Sequence, residues 1–396
     1  METIKFVHFG CWNNLNMVSK ENLTNTEIVL KKLNETVTDV SFIVIAGDNY
    51  YPEKRIGENK KKEKIIHQDK LIKGFNLLPK EIEINMILGN HDLETALEKG
   101  GLFVKTNDNN LTEEYKDKCF ILKTEQKQQN KDLKIVLHGT KTILNETLLI
   151  MIDTSMYVND SDDYLPCYQQ FHKSNSSDGN AIPNIKKLRE DQEDFILGSI
   201  KSAPETITDI IIIGHHPIIG LKMKEAKEPK EPKEAKEPKE PKELKEKKTK
   251  EPKEKKLTVL NDMPAFTHIL KRIYRENINY HYLCADLHLY QKGIVEFNID
   301  DRKMKINQYI VGTGGTELDE DIPNEFITNV NHSRDDGVVN YTVSECKKTF
   351  GFLECTLTAK NDPIFNFVEV KPKSKQSRTS AGSKNKRRTK KRKTKN

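Results

Sequence analysis

Three apolar runs in this chain each end on a glycine followed at once by a polar residue: VIAGDNYY, MILGNHD and IIIGHHP, which set Asp48, Asn90 and His215 directly after Gly47, Gly89 and Gly214. Glycine has no Cβ to obstruct a sharp turn, so a buried strand that stops there can aim its next side chain back across the sheet edge. Two further runs, IKFVHF and LLIMID, stand among these three, and polar, helix-compatible stretches separate all five up to residue 221. Such alternation predicts crossover-connected, mainly parallel strands and an α/β fold. Functional groups in an open sheet of this kind gather beyond the carboxyl ends of strands, so the three signatures are expected to converge.

The remainder of the chain divides by composition. Residues 222–256 are a near period-three Lys/Glu/Pro tract with fifteen lysines, ten glutamates and five prolines, unable to pack a core or form a long helix, and read as a disordered insertion. Residues 371–396 carry thirteen Lys/Arg and no acid, and read as a disordered basic tail. These segments hold +5 and +13 of a net +6, so the rest stands at −12. The expected organisation is one domain over 1–370, interrupted once, with the basicity appended. Between insertion and tail the sequence predicts a helix in LTVLNDMPAFTHILKRIY and strands in YHYLCAD, GIVEFNI and INQYIVGTGG.

No apolar stretch approaches the roughly 20 residues that span a bilayer, and METIKFVHFG lacks a signal-peptide pattern. The expected setting is intracellular, cytoplasmic or nuclear, not secreted, and the six cysteines, scattered without CxxC spacing, are expected to be thiols. The tail is a candidate contact for nucleic acid or another anionic surface, with nine Lys/Arg in 384–395 and no aromatic residue for stacking.

Two metal ions that share a site need a bridging carboxylate together with neutral imidazole or amide donors. Asp48 suits the bridge, Asn90 and His215 follow their glycines, Tyr51 lies three residues past Asp48, and His288 stands in CADLHLYQ.

In this order GDN-x-Y, GNHD, GHHP and H-x-x-Q, with FGCW before them and VGTGG after, resemble the calcineurin-like metallophosphoesterases, closest to the purple acid phosphatase branch. The resemblance implies a four-layer α/β/β/α sandwich with two metal ions at the strand ends. It assigns the bridge to Asp48, the phenolate to Tyr51, the amide to Asn90 and imidazoles to His215 and His288. His91, beside Asn90 at the rim of the site, is the expected general acid that protonates the leaving oxygen, because an imidazole near neutral pKa suits that work.

Two positions depart from that pattern. Gly10-Cys11-Trp12 stands where the branch has Gly-Asp-Trp, and Ala285-Asp286-Leu287-His288 stands where it has Gly-His-x-His. Asp286 keeps an oxygen ligand and favours harder ions such as manganese, whereas Cys11 as thiolate favours zinc or ferrous iron. Cys11 reads equally well as an inert buried thiol. A histidine about nine residues past His215 is also missing, with Lys224 near that place. Blander readings hold for three neighbours: His216 as a packed companion of His215, His8 as a core histidine, and Asp153 as a turn cap.

The expected function is metal-dependent hydrolysis of phosphate esters by two divalent ions (manganese, zinc or iron), with a phosphate-ester substrate. The alternative is a degenerate member of the fold that serves as a binding scaffold.

Overall fold

The computed structural model describes residues 3–15, 23–56, 62–93, 102–105, 111–114, 133–136, 139–159, 161–169, 184–225, 255–260, 263–299, 302–320, 322–323, 329–334 and 337–371. Strands in chain order are β1 (Thr3–Phe9), β2 (Phe42–Ala46), β3 (Glu53–Ile56), β4 (Lys62–His67), β5 (Glu83–Ile87), β6 (Leu102–Lys105), β7 (Leu111–Glu114), β8 (Leu133–Val136), β9 (Thr140–Leu144) and β10 (Thr147–Met151). They continue with β11 (Asp209–Ile213), β12 (Gly220–Glu225), β13 (Lys255–Leu260), β14 (Asn279–Cys284), β15 (Tyr290–Ile299), β16 (Arg302–Val311), β17 (Asn329–Arg334), β18 (Gly337–Lys347), β19 (Phe350–Thr358) and β20 (Ile364–Val370). The helices used below are α1 (Asn25–Thr36), α2 (Gln68–Asn76), the single turn α3 (Asn90–Leu93), α4 (Ile185–Lys201) and α5 (Pro264–Arg272).

Two mixed sheets face each other. One has the order β20-β19-β1-β2-β5-β8 and the other β17-β18-β15-β16-β14-β11-β10-β9. Each is parallel at its centre, through β1, β2, β5 and β8 in the first and β10, β11, β14 and β16 in the second. The central strands are the continuous apolar runs seen in the sequence, because a parallel strand covered on both faces has no solvent side to leave polar. Ile210, Ile211, Ile212 and Ile213 are all buried, each contributing roughly 2 kcal/mol of transfer free energy.

The sheets meet through aromatic side chains. Phe365 of β20 packs on His281 of β14 and Tyr309 of β16, with ring centroids 5.0 and 4.6 Å away, and Phe367 stacks on Tyr290 at 4.1 Å. On the outside, α1 lies against β19 and β20, while α5 seats Phe266 on Tyr282 of β14 at 5.8 Å and packs beside α4. The result is the expected α/β/β/α sandwich. Helix α1 begins with a capping box in which the Thr24 hydroxyl accepts from Glu27 N–H and the Glu27 carboxylate accepts from Thr24 N–H.

Three expectations change. The stretch expected to be one helix from Leu257 divides: Lys255–Leu260 is a strand and the helix starts only at Pro264, whose fixed φ suits a first helical position. That strand pairs antiparallel with β12 from Gly220↔Leu260 to Glu225↔Lys255, so both flanks of the Lys/Glu/Pro tract form one hairpin. The tract between them, 226–254, and the tail from 372 lie outside the described residues. Finally, Cys167 is disulfide-bonded, contrary to the all-thiol expectation, whereas Cys11, Cys284, Cys346 and Cys355 are thiols.

Among the described residues, no helix is long and apolar enough to cross a membrane.

Candidate metal centre

Every sequence-derived candidate lies just beyond the carboxyl end of a parallel strand. Cys11 follows β1, Asp48 and Tyr51 follow β2, Asn90 and His91 follow β5 on α3, His215 and His216 follow β11, and Asp286 and His288 follow β14. Three of these positions take the left-handed backbone: Cys11 at φ 53°, Asp48 at 54° and Asp286 at 58°, with Gly47 at 83°. Such conformations persist where surrounding structure enforces them, and they cluster at functional sites.

Asp48 is buried, and its two oxygens look in different directions. Oδ2 accepts from the Tyr51 hydroxyl at 2.8 Å and lies 3.8 Å from the Cys11 Sγ, while the Tyr51 hydroxyl is also 3.1 Å from His288 Nε2. Oδ1 accepts the His91 N–H at 3.1 Å and faces His215 Nε2 at 3.4 Å. That same nitrogen is 3.1 Å from Asn90 Oδ1 and 3.8 Å from Asp286 Oδ1. The ligand atoms of Cys11, Asp48 and His288 lie within 4.8 Å of one another, as do those of His215, His216 and Asp286.

The proton count on His215 tests whether these residues suit a cation. Its Nδ1 lies 2.6 Å from the Ala46 carbonyl, which can only accept, so Nδ1 carries the ring proton. Nε2 then turns a lone pair toward three oxygens, which is repulsive. That lone pair and the facing oxygens are placed to share a cation, and a histidine fixed through its far nitrogen to a carbonyl is the usual posture of a metal ligand. The donor set fits metal ions.

His216 does not share this posture. The Thr154 hydroxyl already accepts the N–H groups of His215 and His216, both at 2.9 Å, and therefore gives its own proton to His216 Nδ1 at 3.1 Å. His216 Nε2 then carries the ring proton, and the side chain is a buried neighbour with its pKa lowered by burial. His8 is a core residue bonded through Nε2 to the Cys284 carbonyl, and Asp153 caps the turn that follows β10 by accepting Ser155 N–H.

The charges agree with a cation-ready site. Burial alone would push the Asp48 carboxyl up, but His215, His91, the Tyr51 hydroxyl and His288 hold it below the ordinary carboxylate range. Burial, then the charges of Asp48 and Asp286, pushes the Cys11 thiol well up. Burial and the charge of Asp48 do the same to the Tyr51 phenol. His91 stands over Tyr51, ring centroids 4.9 Å apart.

Several supporting residues escaped the sequence reading. Buried Asp92 joins two loops of the candidate site: it accepts Gly89 N–H at 2.8 Å, Asn49 N–H at 2.9 Å and the Asn49 amide at 2.7 Å, and its pKa is pushed up to about 7 by burial and the charge of Asp48. The Trp12 indole donates to Asn49 Oδ1 at 3.0 Å. Asp92 lies within the GNHD signature and could have been noticed there. Thr154 and Asp319, which accepts His288 N–H at 2.9 Å, carry no local signal at all.

Residues 4–250 match the calcineurin-like phosphoesterase family, and the chain belongs to that family. Its fold is similar to that of a purple acid phosphatase from yellow lupin (Lupinus luteus) seeds, at a TM-score of 0.50 and 11% identity over 93% of this chain. The match covers 52% of the lupin chain, so this chain spans about half of that enzyme's length. It is also similar to GAP50, the anchor in the inner membrane complex of Plasmodium, at 13% identity and a TM-score of 0.46, over 93% of this chain and 85% of that one. No curated protein sequence matches the chain.

Proposed function

We propose that this protein hydrolyses phosphate esters at a two-ion centre bridged by Asp48. The observation that carries the reading is the divided surroundings of that carboxylate: Oδ2 faces Tyr51 and Cys11, with His288 beyond the phenol, and Oδ1 faces His215, which Asn90 and Asp286 adjoin. Ions held by these two groups would supply Lewis-acid activation and charge neutralisation for attack on phosphorus.

The protein's own residues do the rest. Asp48 stays ionised, because its neighbours favour the charged form. His215 keeps one ring orientation through Ala46, and Asn90 is fixed by the turn that Asp92 closes at Gly89. His91 is partly exposed at the rim, on the face of Tyr51, where an imidazole can give a proton to a departing oxygen. An oxygen-rich set around His215 suits manganese, and Cys11 would suit zinc or ferrous iron only as the thiolate.

The test is to strip the full chain of metal, reload it with manganese, zinc or iron, and compare uptake and turnover on phosphomonoesters and diesters with Asp48→Asn. About two equivalents bound and turnover that Asp48→Asn abolishes is the expected result. Turnover no higher than that of the variant, on every ester tried, removes the enzyme reading.

One observation favours a second reading, a phosphoesterase fold that binds without turnover. The thiol at position 11 is buried and held protonated where the branch has a carboxylate, which weakens the donor set around Oδ2. Metal uptake without turnover would support it.

A further inference from the structure

We propose that Lys222 anchors the substrate, its ammonium binding a phosphoryl oxygen of the ester held at the metal centre. The inference deepens the phosphoesterase reading and rests on it.

Asp48 and Asp286 face the His215 imidazole, and Asp319 accepts the backbone N–H of His288, so the centre is lined by carboxylates. An anionic ester needs fixed positive charge there as well as ions. Lys222 brings it: its Nζ is 2.5 Å from Asp319 Oδ1, while Oδ2 of the same carboxylate accepts the His288 N–H at 2.9 Å and the Asp319 N–H returns to the His288 carbonyl at 2.9 Å. The ammonium therefore stands one carboxylate away from the His288 backbone.

The position of this lysine is over-determined from behind. Buried Gln291 clamps the preceding residue on both sides, accepting Leu221 N–H at 3.2 Å and donating to the Leu221 carbonyl at 2.6 Å. Buried Gln308 does the same one turn earlier, accepting Ile218 N–H at 2.9 Å and donating to the Ile219 carbonyl at 2.6 Å. The segment that runs from His215 to Lys222 is thus fixed by two buried amides, and the hairpin pairing Lys222↔Thr258 continues it. The two amides satisfy buried backbone groups of this segment and in doing so also fix where the lysine leaves the backbone. Asp319 holds the ammonium from the side of His288 and leaves 29% of the lysine side chain exposed, so the N–H donors of Lys222 not spent on the carboxylate are open to a phosphoryl oxygen. Gln291 is the last residue of H-x-x-Q, and this clamp gives that motif's glutamine a physical role.

The experiment uses the full chain reloaded with metal, and inorganic phosphate as the probe, titrated by calorimetry against wild type, Lys222→Ala and Lys222→Arg, with metal content read in every sample. The expected result is that Lys222→Ala binds phosphate about tenfold more weakly at unchanged metal content, while Lys222→Arg stays within about threefold of wild type, because it keeps the charge and donors. If Lys222→Ala binds phosphate as wild type does, or Lys222→Arg falls as far as Lys222→Ala, the assignment of the lysine is overturned and the metal centre stands. A wild type that takes up no metal refutes the phosphoesterase centre and overturns this inference with it.

Discussion

The most exposed test of the site's geometry is a single methyl group at Gly89. A Cβ there would lie 2.4 Å from both the backbone nitrogen and Oδ1 of Asp48 and 2.8 Å from His215 Cε1. Ordinary contacts for such atoms begin near 3.5 Å, so about 1 Å of separation has to be found. It cannot come from a flexible side-chain end, because Asp48 and His215 are both buried and held, the latter through Ala46. Gly89→Ala should therefore destabilise the fold by about 1–3 kcal/mol through overpacking. It should also part the bridge from His215, and a 1 Å misplacement of a reacting group can lower a rate by about a hundredfold. Gly198→Ala provides the opposite control: nothing lies within 4 Å of the place a Cβ would take there inside α4, so the same substitution should stabilise by about 1 kcal/mol through helix propensity. Urea unfolding and elemental analysis of both variants measure these effects. Wild-type metal uptake and an unshifted unfolding midpoint in Gly89→Ala would refute the packing of Asp48 against His215.

Acid should destabilise the fold through His8, whose pKa burial lowers from 6.5 to about 4 against the opposing hydrogen bond to Cys284. The unfolded chain takes up a proton that the folded one refuses, so this stability is full above pH 6.5 and declines by about 3 kcal/mol as pH falls toward 4; His8→Gln should flatten that slope, and an unchanged slope removes His8 as its cause. Gln291→Leu leaves the N–H and carbonyl of Leu221 without their partner and should cost about 2–4 kcal/mol in urea unfolding, an expectation that fails if the loss is under half of that. Reverting Cys11→Asp and Asp286→His together should raise metal content and, with iron, give the violet tyrosinate absorption that the purple acid phosphatase resemblance implies for Tyr51. Unchanged metal content would exclude both positions as ligands. If the basic tail contacts nucleic acid, deleting 371–396 should remove that binding and log K should fall by roughly 0.7–0.9 per decade of salt for each phosphate contacted; equal binding by the truncated chain would dismiss the tail's role.

What could be read from the sequence follows the physics of burial. Strands β1, β2, β5, β10, β11, β14, β15 and β16 were legible, and the central parallel strands among them because both faces are covered and their apolar residues run together. Strands β17 to β20 were missed, because antiparallel strands toward the sheet margins carry mixed sequences such as NVNHSR and IFNFVEV, in which polar residues interrupt the apolar ones. Lys255–Leu260 was absorbed into a helix because its strand partner, Gly220–Glu225, lies across the Lys/Glu/Pro tract, and no local pattern records a pairing at that separation. The candidate site divides in the same way. Residues that follow a Gly signature could be picked out as candidates, whereas Thr154, Asp319 and Lys222 make their contacts at long range and carry no local signal.

The two departures from the branch's ligand pattern differ in a way that only the backbone reveals. Cys11 and Asp286 both occupy left-handed conformations, at φ 53° and 58°, as does Asp48 at 54°. Aspartate enters that region readily because its short polar side chain can bond to nearby backbone, and cysteine has no such compensation, so Cys11 bears a cost of about 1–2 kcal/mol. Asp286 therefore suits its place twice, as a residue compatible with the turn and as an oxygen donor 3.8 Å from His215. Cys11 suits it on neither count within the chain's own contacts, since its thiol reaches Asp48 only at 3.8 Å and burial keeps it protonated. The strain at position 11 is nevertheless held by the surrounding backbone, where Cys11 N–H donates to the Gly47 carbonyl and the Cys11 carbonyl accepts from Thr316. The loop at position 11 thus has a backbone shape that would suit an aspartate and carries a thiol instead. That makes the group of Cys11, Tyr51 and His288 the place where the enzyme and the scaffold readings part.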